Sequence, residues 1–251
     1  MISPYIGITG FMERDEIELV LSQMPDGCSR KLMIGVLASN KTLDGLENLM
    51  PFKFPKREDI ANIFIDNPLA LNMIHLACDD QGKLLSYLNM ATELGGPNLH
   101  GFQLNIVFPC HETIRTYRQN NPDKIIILQI SPHMMGGKDL NQIIHALYLY
   151  RGIIDGIIFD HSRGKGEELD SKYTISCLSR IRRAFPDLGL VVGGGLCDNT
   201  MHLVEPIVKE FPDISIDAEG KLGSDNGTSF LNRGMMFAYQ QEALRLFGHT
   251  E

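Results

Sequence analysis

What the chain of 251 residues lacks removes several classes of reading at once. Its five cysteines (Cys28, Cys78, Cys110, Cys177, Cys197) include no C-x-x-C pair. An odd, dispersed set does not make a disulfide scaffold and fits a reducing compartment, so a cytoplasmic location is expected. No apolar run reaches the roughly 18 residues of a spanning helix, and no membrane partner is expected. The opening Met1-Ile2-Ser3-Pro4-Tyr5 has no basic segment ahead of an apolar one, which argues against a secretion signal. No lysine/arginine run offsets the formal net charge of -8, so nucleic acid is not an expected partner. A local basic site for a small anion is still allowed. Linkers and low-complexity tracts are missing too, and residues 1–251 read as one domain whose main insertion is Lys41–Lys56.

What is present is a steady alternation of short apolar runs and longer amphipathic stretches. Strands are expected at Tyr5–Thr9, Lys31–Leu37, Asn72–Leu76, Phe102–Phe108, Lys124–Ile130, Gly156–Asp160, Leu188–Val192 and Ile214–Asp217. Helices are expected between them, at about 13–24, 57–64, 83–93, from 111, at 140–150, 168–185, 199–211 and 229–247. Several strands are continuously apolar, as strands of a parallel sheet covered on both faces are. Strand–helix alternation favours a parallel α/β fold. Eight such units in about 250 residues fit a (β/α)8 TIM barrel. The alternative, an open doubly wound sheet, wants G-x-G-x-x-G after the first strand, and Gly7-Ile8-Thr9-Gly10 does not supply it.

In such barrels the chemistry sits where the strands end. The sixth strand ends at Asp160-His161 and enters a loop of glycine and charge, "SRGKGEELD". A carboxyl group at that depth is partly desolvated, which suits Asp160 to proton transfer. Asp217 at the end of the eighth strand is its candidate partner. The seventh strand runs into Gly193, Gly194 and Gly195, then Asp198-Asn199, a candidate helix cap. Glycines there allow a close approach to a ligand, and a phosphate held after strands seven and eight is a recurrent use of the fold. Gly220 lies in the loop after strand eight, and Arg163 and Lys165 place positive charge beside the same region. His133, His161 and Asp217 raise the alternative of a metal-dependent barrel hydrolase. However, strand one has no H-x-H pair to complete a ligand set, so no metal is expected, and no cofactor either.

These segments resemble phosphoribosylanthranilate isomerase, a barrel enzyme of tryptophan synthesis. "GIT" at Gly7–Thr9 is similar to the family's C-G-[IL]-T, and Gln103-Leu104 to the start of its Q-L-H-G. "IIFDHSRGKGEELD" is similar to its sixth-strand segment, with Gly164, Gly166 and Asp170 in the G-x-G-x-x-x-D spacing. "VVGGGLCDN" and "SIDAEG" are similar to its phosphate-side motifs. The resemblance implies an Amadori-type rearrangement, with Asp160 as the acid and Gln103, His161 and the glycines binding substrate. The family's base is a strand-one cysteine, and Ile6 stands there. Asp217 is the expected substitute, Cys78 a weaker one. Glu219 replaces a serine and brings a carboxylate towards the phosphate position.

The expected function is therefore an isomerase or related enzyme moving protons on a phosphosugar or phosphoribosyl metabolite. The alternative in another class is a barrel that binds such a metabolite without converting it. The expected partner is a phosphorylated or anionic small molecule; a homodimer is allowed by nothing more specific than the fold.

Overall fold

The computed structural model describes residues 2–130, 139–160, 169–223 and 230–249. The strands are β1 (Tyr5–Thr9), β2 (Lys31–Ser39), β3 (Ala70–Ala77), β4 (Gly101–Leu104), β5 (Ile125–Ile130), β6 (Gly156–Asp160), β7 (Gly189–Gly193) and β8 (Ser215–Ala218). Each pairs in parallel with the next, and β8 returns to β1, closing the barrel in sequence order. Among the described residues the helices are α1 (Arg14–Leu21), α2 (Asn40–Leu43), α3 (Ile60–Ile63), α4 (Leu84–Gly95), α5 (His111–Asn120), α6 (Leu140–Leu147), α7 (Ser171–Ala184), α8 (Glu205–Glu210) and α9 (Arg233–Leu246). The fold is the expected (β/α)8 barrel. No helix among the described residues is long and apolar enough to cross a membrane.

Successive residues of a strand point to opposite faces, so each strand feeds two cores. Facing outward, Ile6 and Ile8 of β1 join Ile17 and Val20 of α1 in the layer between strands and helices. Facing inward, Tyr5, Met33, Leu71, Met73, Ile127, Ile158 and Val191 form a separate apolar plug inside the barrel. Gly7, Gly35, His75, Gln129, Asp160 and Gly193 lie two residues further along these strands and so share the inward face. Above an apolar plug, the lumen therefore turns polar at its mouth.

Several expected boundaries move for local reasons. β4 stops at Leu104 rather than Phe108: Asn105 N–H makes one last bond to Leu76 O (3.0 Å), and Phe108 has φ 41°, which ends extended backbone. The helix expected over 199–211 is split into a 3-10 turn, Asp198–Leu203, and α8, because Pro206 at the start of α8 has no N–H to continue a ladder. Its cap is Cys197, whose N–H donates to Thr200 Oγ1 (2.9 Å), and not the expected Asp198-Asn199 pair.

The insertion after β2 lies over the barrel end. Lys53 of that segment meets Glu219 after β8 (3.2 Å), and Phe52 packs edge-on against Phe230 (centroids 6.0 Å). Between the insertion and the β1–α1 loop lies a cavity of about 830 Å³, bordered by Arg14, Leu46, Phe54 and Arg57.

Candidate active site

Asp217 is the best-defined group at the mouth. It is on β8, 6 % exposed, with its carboxylate inside the barrel. Thr9 Oγ1 of β1 donates to both its oxygens (3.1 and 3.3 Å), and Gln103 Nε2 of β4 donates to Oδ2 from across the lumen (3.0 Å). Burial is the main force on it and disfavours the charged form. The two donors favour the charged form, while Glu219 and Asp160 oppose it. The balance raises its pKa to about 7.

Room for this arrangement comes from glycine. A Cβ at Gly35 would run into Thr9 Oγ1, and one at Gly7 would come within 2.9 Å of Asp217 Oδ1. The small residues on β1 and β2 let the carboxylate and the hydroxyl occupy the lumen.

Asp160 ends β6 and is 8 % exposed; Gln129 Nε2 of β5 donates to its Oδ2 (3.2 Å). His75 of β3 is 4 % exposed, and neither ring nitrogen has a hydrogen-bond partner among the described residues. Burial lowers its pKa, against the pull of Glu219 and Asp160, so the imidazole is neutral at neutral pH. His75 and Gln103 are register partners across β3 and β4. Asp160, Asp217, Gln103 and His75 thus come from four strands to one polar layer. Glu219, the residue expected to repel a phosphate, is paired with Lys53, and a small cleft there is lined by Thr9, Phe52, Lys53 and Glu219.

The remaining expected residues fare differently. Gly193 is the last residue of β7, with its inward side filled by Ile158. Gly194 and Gly195 have φ of 94° and 66°, the left-handed backbone that glycine adopts without strain, so the turn itself requires them. Gly220 opens the short turn after β8 and has open space beside it. Asp170 caps α7 by accepting from Tyr173 N–H (3.0 Å), a structural use of the residue that completes the G-x-G-x-x-x-D spacing. His161, Arg163, Lys165 and His133 lie outside the described residues. Among the described residues no three His, Cys, Asp or Glu side chains gather as a metal-ligand set.

The two expected substitutes for the family's cysteine, Asp217 and Cys78, are separated by geometry. Ile6 faces the helices, so the inward groups of β1 are Tyr5, Gly7 and Thr9. The position matched to the family's cysteine therefore points away from the lumen here. Cys78 packs in the same outer layer, donates to Asp80 O (3.3 Å), and has its pKa raised by burial. Neither property suits a base. Asp217 lies inside the lumen, with its pKa raised to about 7.

No family model matches the chain, and no curated protein matches it. Solved structures do. A phosphoribosyl anthranilate isomerase from Thermococcus kodakaraensis is similar with a TM-score of 0.60 and 13 % identity, over 96 % of this chain and 98 % of that one. A GH18 chitinase from Pseudoalteromonas aurantia gives 0.62 and 11 %, over 96 % and 99 %. Tryptophan synthase subunit alpha from Legionella pneumophila gives 0.57 and 13 %, over 96 % and 92 %. The likeness is one of fold. At such identities, proteins of different activities fit the same barrel about equally well, and the side chains at the mouth have to carry the rest.

Gln129 and Lys53 are not among the residues that the sequence singles out, and His75 stands out there only as one of four histidines near the ends of strands three to six. Gln129 and His75 each interrupt an apolar strand ("IIILQI", "LNMIHLA") at the parity of the inward plug, and that interruption was the available signal. Lys53 gives no such signal, since nothing local in the insertion indicates that it reaches Glu219. Together the groups can hold, deliver or accept a proton: a carboxyl poised near neutrality, a second carboxyl on the next strand but one, and a neutral imidazole.

Proposed function

We propose that the chain is an enzyme that moves protons on a small phosphorylated or otherwise anionic sugar-like metabolite, an isomerisation or a related reaction on a phosphoribosylanthranilate isomerase-like barrel. Asp217 takes the proton from the carbon beside the carbonyl or imine carbon, and Asp160 supplies one to the substrate oxygen. The single observation behind this is the buried Asp217, gripped by Thr9 and Gln103 with a pKa of about 7. A base poised near the working pH is half ready at neutrality without a metal or cofactor. Gly194, Gly195 and Gly220 are the proposed backbone contacts for the anionic group, and His161, Arg163 and Lys165 are its proposed side-chain partners.

The test is deuterium uptake in D2O, followed by proton NMR, across a panel of aldose and ketose phosphates. Wild-type protein is expected to exchange the carbon-bound proton of at least one member. Asp217→Asn should slow this at least 100-fold, the lower end of what a positioned base contributes. Asp160→Asn should also stop turnover while leaving ligand binding intact. Exchange by Asp217→Asn at the wild-type rate would sink the assignment.

A second reading rests on the outward Ile6. A barrel whose first strand carries no inward base could bind such a metabolite without converting it. It predicts a raised melting temperature with the panel and no exchange with any member.

A further inference from the structure

The polar layer at the mouth is unevenly supplied. Gln103 and Gln129 each turn their amide nitrogen towards a carboxylate, Asp217 and Asp160 respectively. An ionised carboxylate only accepts, so in that state both amides turn their nitrogens to it, which sends both carbonyl oxygens to the other side. Gln103 Oε1 and Gln129 Oε1 are buried and have no hydrogen-bond partner among the described residues. Gln103 as a whole is 2 % exposed. His75 adds two unpartnered ring nitrogens, and a neutral imidazole offers one donor and one bare acceptor in either tautomer. Buried polar atoms without partners are uncommon in folded proteins because each forfeits its hydration, so a set of them on the inward face of the neighbouring strands β3, β4 and β5 marks what a ligand must supply.

The missing complement is mostly donors. The unfilled acceptors are the two amide oxygens and one imidazole nitrogen, and the other imidazole nitrogen is the single unfilled donor. Among the described residues the ionisable groups around them are Asp160, Asp217 and Glu219, with Lys53 paired to Glu219. A phosphate has only acceptors to offer there apart from its last proton, so it cannot fill both amide oxygens. Hydroxyl groups donate and accept, carry no charge, and match both the amide oxygens and the imidazole.

We propose that the mouth of the barrel holds the hydroxylated end of the substrate, with Gln103 Oε1, Gln129 Oε1 and His75 taking its hydroxyls, while any phosphate or carboxylate lies outward of this layer. This rests on the site proposed above and names which end of the substrate enters it. Gln103, Gln129 and His75 are then specificity-determining residues: they select a polyol chain over an aliphatic one of equal length.

Calorimetric binding separates this from the catalytic reading, because no turnover is needed. The probes are D-ribose 5-phosphate, D-arabinose 5-phosphate and D-xylulose 5-phosphate, with n-pentyl phosphate as the chain without hydroxyls and inorganic phosphate as the anion alone. At least one pentose phosphate is expected to bind 10-fold or more tighter than both controls. Gln129→Met should remove about 10-fold of that preference, the worth of one hydrogen bond, and leave pentyl phosphate binding unchanged. Gln103→Met tests the same point where Asp217 also loses a donor. His75→Phe tests it at a residue bonded to no described group, so that a folding defect in one variant does not decide the outcome. The proposal is overturned if all three sugars bind no better than pentyl phosphate, or if the variants weaken the control equally. Proton exchange without hydroxyl preference would leave the catalytic reading standing and this one lost; hydroxyl preference without exchange would do the reverse.

Discussion

At the scale of the residue, the pKa of Asp217 is a balance that can be tipped either way. Thr9 donates to the carboxylate and lowers the pKa; Glu219 repels it and raises the pKa. Thr9→Val keeps the shape and removes the donor, so under the proposed function the acid limb of kcat/KM, expected near 7 for the wild type, should move to higher pH. Glu219→Gln removes the repulsion and leaves Lys53 nearby, so the same limb should move to lower pH. A pH–rate profile reads both; shifts in the same direction would break the proposed electrostatics. The same group also enters stability. Its folded pKa of about 7 exceeds the ordinary 3.8, so between those values the folded state holds a proton that the unfolded chain has released. Its contribution is therefore full below pH 4, falls as pH rises, and is gone above about 7. At 1.36 kcal/mol per unit, wild type should lose about 3 kcal/mol relative to Asp217→Asn between pH 5 and pH 8. Urea denaturation at the two pH values measures it.

At the scale of the element, what matters is which face a residue takes. The strand positions were legible because buried parallel strands are apolar and the intervening stretches are amphipathic. Asp160 and Asp217 were legible as strand-end carboxylates for the same reason. The depth of the site was not. "GIT" carries no mark of which of its neighbours points inward, and the match to a cysteine at Ile6 fails on direction: inward parity on β1 falls to Tyr5, Gly7 and Thr9. Parity emerges only when the strands close and one set of side chains plugs the lumen. Gly35 shows the consequence. On sequence it is one small residue within "KLMIGVLAS"; in the barrel it is the gap into which Thr9 fits. Gly35→Ala would push a methyl group against Thr9 Oγ1 and Cα, on a strand paired residue by residue with β1. Overpacking of this kind costs about 1–3 kcal/mol. The urea midpoint should drop with an unchanged slope, and Asp217 should lose its hydroxyl partner, so the limb of the pH profile should move upward as in Thr9→Val.

At the scale of the whole molecule, closure ties the two ends of the chain together. β1 pairs with β8 through Ile6, Gly7 and Ile8, and Tyr5 N–H donates to Ser215 Oγ (3.0 Å), across 210 positions of sequence. The polar layer needs this ring complete, since Thr9, Gln103 and Asp217 are hydrogen-bonded across it from β1, β4 and β8. We propose on this basis that residues 1–251 unfold as one unit, and the free cysteines provide the reporters. Cys110 is exposed and its thiol pKa is lowered by hydrogen bonds from Thr113, so it should react first with a thiol reagent in the native protein. Cys78, Cys177 and Cys197 are buried at separate places, after β3, in α7 and after β7. If the barrel opens as a whole, all three become reactive over the same range of urea, and that range coincides with the loss of far-UV circular dichroism. If the half carrying Cys177 and Cys197 labels at lower urea than Cys78, the chain has two folding units, and the shared polar layer is assembled at an interface between them rather than inside one cooperative barrel.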